Sequence, residues 1–119
     1  MIKGIGIDIV GISDFRKSGN NPYFIGQILT PPEISGLPAD GRKEVYTATL
    51  FALKEAVLKA LGCGLSRGFY WQEINIEANS RVRLTGRLLE TADKMEIGKI
   101  HCSHSHSENF IAAFVLLEN

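Results

Sequence analysis

Residues 43–62 read KEVYTATLFALKEAVLKALG, a run with no proline and no glycine before Gly62. So many good helix formers in a row predict a helix from Lys43 to Leu61, with Gly62 standing where a left-handed C-terminal cap belongs. From Leu50 to Leu61 apolar side chains fall on almost every side of the helical wheel, the pattern of a central helix enclosed by its own domain. Only Lys54, Glu55 and Lys59 interrupt it, and charged groups in such surroundings need partners.

Working outward, Ile5, Ile7 and Ile9 alternate with Gly4, Gly6 and Asp8, the period-two pattern of a half-buried strand over Ile2 to Val10. Its second face is glycine, glycine, carboxylate, and missing side chains there mean that a helix or a ligand packs very close. A helical turn is expected over Ile12 to Lys17, broken by Gly19-Asn20-Asn21-Pro22, and a brief helix begins at Thr30-Pro31-Pro32-Glu33, which has the elements of a capping box. Ser35 to Arg42 is a loop. Beyond the long helix, strands are expected over Phe69 to Glu77 and Val82 to Leu84, and an amphipathic helix over Arg87 to Met95. A hairpin of Lys99 to Ser105 and Phe110 to Leu117 turns at Ser107-Glu108-Asn109. The predicted class is α+β, an antiparallel sheet packed on the long central helix, with residues 1–119 forming a single domain.

Composition excludes several functions. With 119 residues, 45% hydrophobic, and 13 Lys+Arg against 13 Asp+Glu, the chain is long enough to enclose a core without disulfides or a structural metal. The balanced charge argues against a nucleic-acid binder that works by bulk electrostatics. Cys63 and Cys102 are the only cysteines and make no disulfide framework, so a reduced, cytoplasmic setting is expected. No apolar stretch approaches the roughly 20 residues of a membrane span, and Met1-Ile2-Lys3-Gly4 runs directly into the strand pattern without a signal segment. A soluble, unprocessed protein follows as the expectation.

Two explanations compete for the charged residues of the helix. Glu55 and Lys59 are four apart, so they can form a helical ion pair worth about 0.2–0.5 kcal/mol. Alternatively, if the helix crosses the glycine face of the strand, Glu55 meets Asp8. Two close carboxylates repel unless a cation lies between them, and Mg²⁺ suits such a pair because it takes few carboxylates and fills its shell with water and phosphate oxygens. With Lys54 and Lys59 nearby, these are the parts of a phosphate-handling centre. Asp8 has its own bland alternative, capping the turn at Ile12. Elsewhere, Gly4-Ile5-Gly6 and Gly62-Cys63-Gly64 lack the context of a dinucleotide loop. His101, His104 and His106 lack the further ligands that a zinc site needs. Ser103, Ser105, His106 and Ser107 are either donors to an anion or a polar hairpin end. Cys63 reads as an inert thiol.

Taken together, GIGIDIV (residues 4–10), FALKEAVLKALGCG (51–64) and SHSHSENFIAAFVLLE (103–118), with Trp71 and the TPPE of residues 30–33, resemble the holo-acyl-carrier-protein synthases, the small type of 4′-phosphopantetheinyl transferase. The resemblance implies transfer of the phosphopantetheine arm of coenzyme A to a serine of an acyl carrier protein, a step of lipid biosynthesis that releases adenosine 3′,5′-bisphosphate. It makes Asp8 and Glu55 the Mg²⁺ ligands and the catalytic residues together with Lys59. Lys54, Lys59, Gly62, Gly64, Ser103 and His106 become coenzyme contacts, and a homotrimer has its site at the subunit boundary. In that family a Glu and an Arg usually follow the strand aspartate, where this chain has Gly11 and Asp14, and an Arg usually precedes the helix Phe, where it has Leu50. Ala78-Asn79-Ser80 replaces a Gly-Lys/Arg-Pro turn. Like charge between Asp14 and an acidic carrier helix would weaken the usual docking, so Arg16, Lys17, Arg42 or Lys43 is expected to supply a relocated basic patch. The competing functions are a non-catalytic coenzyme A or nucleotide-binding module and a trimeric interaction protein.

Overall fold

The computed structural model describes residues 1–16, 21–63 and 71–119. The element order is β1 (Ile2–Gly11), α1 (Ile12–Phe15), α2 (Pro22–Ile28), α3 (Pro31–Ser35), α4 (Lys43–Ala60), a 3₁₀ turn (Trp71–Glu73), β2 (Ile74–Ile76), β3 (Val82–Leu84), α5 (Gly86–Lys94), β4 (Lys99–His106) and β5 (Phe110–Glu118). The sheet order is β1-β5-β4, antiparallel throughout, and β2 pairs with β3 in a separate antiparallel ribbon. The α+β class and the antiparallel sheet on a long central helix are both present.

α4 ends as its sequence requires. Gly62 has φ +76°, Gly62 N donates to Lys59 O at 3.1 Å and Cys63 N to Leu58 O at 2.9 Å, the two bonds of a Schellman cap. The helix lies on the face of the sheet formed by Gly4, Gly6, Asp8 and Val10 of β1 and Ile111, Ala113, Val115 and Leu117 of β5, which the register places in rows. Glycine is required at the crossing: a methyl group at Gly6 would lie 2.8 Å from Ala60 N and closer still to Ala56 O, and one at Gly4 would collide with Ala60 O. Backbone therefore meets backbone where β1 and α4 cross, and Ala56 and Ala60 are wholly or nearly buried there. The other face of β1 is open, with Ile5, Ile7 and Ile9 all more than half exposed (54%, 55% and 65%). The half-buried strand is thus buried on its glycine and aspartate face.

Two local expectations are revised and a third is met. Asn21-Pro22 starts a helix instead of only ending one, because the Asn21 side chain accepts from Tyr23 N at 3.0 Å and Pro22 fits the first helical position. Trp71–Glu73 forms a 3₁₀ turn where a strand was expected, and only Ile74–Ile76 pairs; Phe69 and Tyr70 lie outside the described residues. The turn takes this form as Trp71 stacks on Phe51, ring centroids 5.1 Å apart, beside the contacting rings of Phe15 and Phe24. The Thr30–Glu33 capping box is complete, with Thr30 N donating to Glu33 Oε1 at 2.8 Å and Glu33 N to Thr30 Oγ1 at 3.4 Å.

Candidate active site

Because α4 rides on the bare backbone of Gly4 and Gly6, the residues flanking Ala56 and Ala60 come down beside Asp8. Lys59 Nζ donates to Asp8 Oδ1 at 2.9 Å and to Ile7 O at 3.0 Å. Lys59 thus bonds to the strand, and the Glu55–Lys59 helical pair is not the arrangement adopted. Nor does Asp8 cap the turn at Ile12, whose N–H donates to Asn109 O at 2.9 Å.

Glu55 is 5% exposed, and its Oε2 is buried without a hydrogen-bond partner. Burial, with the Asp8 carboxylate as the second cause, raises its carboxyl from the ordinary 4.5 to about 7, against a smaller opposing pull from Lys59. Asp8 and Glu55 line one cavity of about 360 Å³ with Gly11, Asp14, Phe15 and Phe51. A partnerless buried carboxylate oxygen facing a second carboxylate is destabilising on its own. An all-oxygen pair of this kind suits a hard divalent cation such as Mg²⁺. No group of three or more His, Cys, Asp or Glu among the described residues converges closely enough to hold a metal, so the rest of such an ion's shell would come from water and substrate.

Lys54 is corrected as a coenzyme contact. Its side chain is fully buried, and Nζ donates to Glu33 Oε1 at 2.6 Å, Ile28 O at 2.7 Å and Trp71 O at 3.1 Å. Burial lowers its pKa, and Glu33 opposes that shift. Glu33 in turn accepts Ile76 N on Oε2 at 2.7 Å, so this ion pair ties α3, α4 and β2 together and leaves no ammonium proton for a ligand. Lys54 announced the need for a carboxylate; the sequence did not say which.

The hairpin residues stand apart from Asp8 and Glu55. Ser103 pairs with Phe114 and shares the exposed row of Ile7, whereas His106 pairs with Ile111 on the opposite face. His106 and His104 line a second cavity, of about 470 Å³, with Arg42, Tyr46 and Leu50. His101 turns away to Glu118, Nε2 to Oε1 3.0 Å. Cys63 and Cys102 form no disulfide with each other. Gly62 caps α4 beside Lys59, while Gly64 and Lys17 lie outside the described residues. Of the expected basic patch, Arg42 is engaged by Asp40 at 3.0 Å and Arg16 lies 3.9 Å from Glu44.

Comparison with known proteins bears on the family and the fold. Residues 4–115 match the family model described as the 4′-phosphopantetheinyl transferase superfamily. A holo-[acyl-carrier-protein] synthase of Exiguobacterium sp. is 38% identical over 120 residues, covering 99% of this chain and 93% of the relative. The crystal structure of holo-[acyl-carrier-protein] synthase from Neisseria meningitidis superposes with a TM-score of 0.82 at 33% identity, covering 100% of both chains. That of Helicobacter pylori holo-[acyl-carrier-protein] synthase in complex with coenzyme A does so with a TM-score of 0.76 at 31% identity, covering 96% of this chain and 99% of that one.

Proposed function

Since this chain belongs to the 4′-phosphopantetheinyl transferase superfamily, we infer from its site and its relatives that it works as a holo-[acyl-carrier-protein] synthase. It transfers the 4′-phosphopantetheine arm of coenzyme A to a serine of an acyl carrier protein. The observation that carries the site assignment is the buried, partnerless Oε2 of Glu55 beside Asp8.

In this proposal Asp8 and Glu55 hold Mg²⁺, which when bound supplies positive charge to the pyrophosphate of coenzyme A as its charge develops. Lys59 orients Asp8 through their hydrogen bond. Its side chain is 43% exposed, so in this proposal it serves a phosphate oxygen as a second positive charge. The carrier serine Oγ attacks the phosphorus bearing the pantetheine arm. The bond from that phosphorus to the bridging oxygen breaks, and adenosine 3′,5′-bisphosphate leaves. In this proposal the serine proton passes to Glu55, directly or through an ordered water. Gly62, which caps α4 beside Lys59, is the glycine this proposal sets beside the phosphates.

The same proposal includes a homotrimer. The open face of the sheet carries Ile5, Ile7, Ile9, Phe110 and Phe114, each at least 39% exposed, and an apolar patch of that kind marks a protein interface. Packing that face against a neighbour brings Ser103, which lies in it, toward a subunit boundary, where it would serve the coenzyme, with His106 contributing from the opposite face. The described residues include no helix long and apolar enough to cross a membrane, and a cytoplasmic setting belongs to the proposal. The test is mass spectrometry of an apo carrier protein incubated with coenzyme A, MgCl₂ and this enzyme. A gain of one phosphopantetheine on the carrier serine is expected, and an unmodified carrier across a panel of carriers would refute the assignment.

A further inference from the structure

Asp14 stands at the cavity shared by Asp8 and Glu55, and the mechanism above makes no use of it. The chain passes from β1 into α1 at Gly11, whose backbone is extended (φ −77°, ψ 127°). A methyl group there would lie 2.8 Å from Asp14 Oδ2. The absent side chain of Gly11 is therefore the space into which the Asp14 carboxylate folds back over the end of the strand. All four residues, Asp8, Gly11, Asp14 and Glu55, line the same cavity of about 360 Å³.

Asp8 and Glu55 on one cavity oppose each other unless something cationic is bound, and Asp14 adds an exposed third carboxylate at its edge. The ammonium of Lys59 is already bonded to Asp8, and Glu55, 5% exposed, keeps a buried Oε2 with no partner. That orphaned oxygen is the independent sign that the cavity is built around a ligand and is not merely a set of solvated acids. Because the three carboxylates do not converge closely enough to ligate one ion together, the third has to act at one remove. Mg²⁺ permits this, since it retains several of its waters when bound.

We propose that Asp14 is a positioning residue of the cation site: it accepts a hydrogen bond from a water of the Mg²⁺ shell and, by its charge and that bond, tightens the hold of Asp8 and Glu55 on the ion. The proposal rests on the Asp8–Glu55 assignment. It makes Gly11 part of the site as well, as the residue whose missing side chain lets the Asp14 carboxylate reach it.

The experiment is a titration of the intact enzyme with MgCl₂, followed by calorimetry and by thermal shift, for wild type, Asp14→Asn, Gly11→Ala, the Gly11→Ala/Asp14→Asn double variant and Glu55→Gln. Asp14→Asn is expected to weaken Mg²⁺ binding about tenfold, the low end of what outer-shell partners of a metal contribute. Gly11→Ala, which keeps the charge and displaces the carboxylate, falls between wild type and Asp14→Asn. The double variant is no weaker than Asp14→Asn alone, because the alanine then has nothing left to displace. Glu55→Gln loses Mg²⁺ binding altogether. If Glu55→Gln binds Mg²⁺ as wild type does, the parent site is wrong. If Glu55→Gln loses the ion while Asp14→Asn matches wild type, or if Gly11→Ala weakens binding equally with and without Asp14, the role of Asp14 is overturned and the parent site stands.

Discussion

Lys59 Nζ lies 2.9 Å from Asp8 Oδ1, so a cation of the central helix is committed to the opening strand and not to Glu55 one turn back. This leaves Glu55 facing a carboxylate with only distant compensation. Lys59→Met removes the bond that orients Asp8 and, on the proposed mechanism, a charge beside the phosphates. The expected outcome is a fall of about 100-fold in kcat/KM for coenzyme A, in the range seen when one electrostatic donor is removed from an active site. Stability should change by no more than about 1 kcal/mol, since the lysine is partly solvated. Steady-state kinetics and urea midpoints measured together check both halves.

The Glu55 carboxyl fixes a pH dependence. Folding raises its pKa from 4.5 to about 7, so the folded state favours the protonated form. The stability this contributes is fully present below about pH 4.5 and is lost as the pH rises through 7. Metal-free wild type should therefore lose stability between pH 5 and pH 8 relative to Glu55→Gln, by about 3 kcal/mol at most. Mg²⁺ affinity should rise over the same interval, because the ion requires the carboxylate. Melting curves of the two proteins at several pH values, with and without MgCl₂, measure the gap and its sign.

Gly6→Ala tests whether close backbone approach builds the site. The added methyl group would meet Ala56 O and Ala60 N of α4, and neither is the free end of a side chain, so the helix must move off the strand. A loss of about 1–3 kcal/mol is expected from this overpacking. Activity should fall further than the unfolded fraction explains, because Glu55 and Lys59 move with the helix while Asp8 does not. Kinetics well below the melting temperature separate the two effects.

The ion pair of Lys54 and Glu33, fully enclosed at 2.6 Å, predicts an asymmetry. Lys54→Met strands a buried carboxylate and should cost about 3–5 kcal/mol, whereas Lys54→Met/Glu33→Gln should recover part of that loss. Denaturant unfolding of the single and double variants decides it. Equal destabilisation of the two would mean that the lysine matters only for its packing.

How far the sequence spoke depended on whether a signal was local. The α4 helix and its Gly62 cap follow from the propensities of neighbouring residues, and both are found where they were expected. The meeting of Asp8 with α4 was legible because Gly4 and Gly6 left one strand face bare, a condition that only close packing explains. What local signals could not supply was the identity of distant partners. Lys54 declared that it needed an anion, and Glu33, held in a capping box of its own, looked already accounted for. Alternation in β1 put Ile5, Ile7 and Ile9 on one face but carried no mark of whether that face meets this chain's core or another surface. Asn21-Pro22 is equally ambiguous, since the same pair that stops one helix caps and opens the next.

The central claim is that Asp8 and Glu55 jointly bind the divalent ion that serves phosphopantetheine transfer. Crystals grown with coenzyme A and MnCl₂, with Mn²⁺ standing in for Mg²⁺ as an anomalous scatterer, test it most directly. The account predicts one peak within about 2.2 Å of a carboxylate oxygen from each of Asp8 and Glu55, with a phosphate oxygen of the coenzyme on the same ion. A coenzyme-bound structure whose ion is held elsewhere, with Glu55 Oε2 still partnerless, would contradict it.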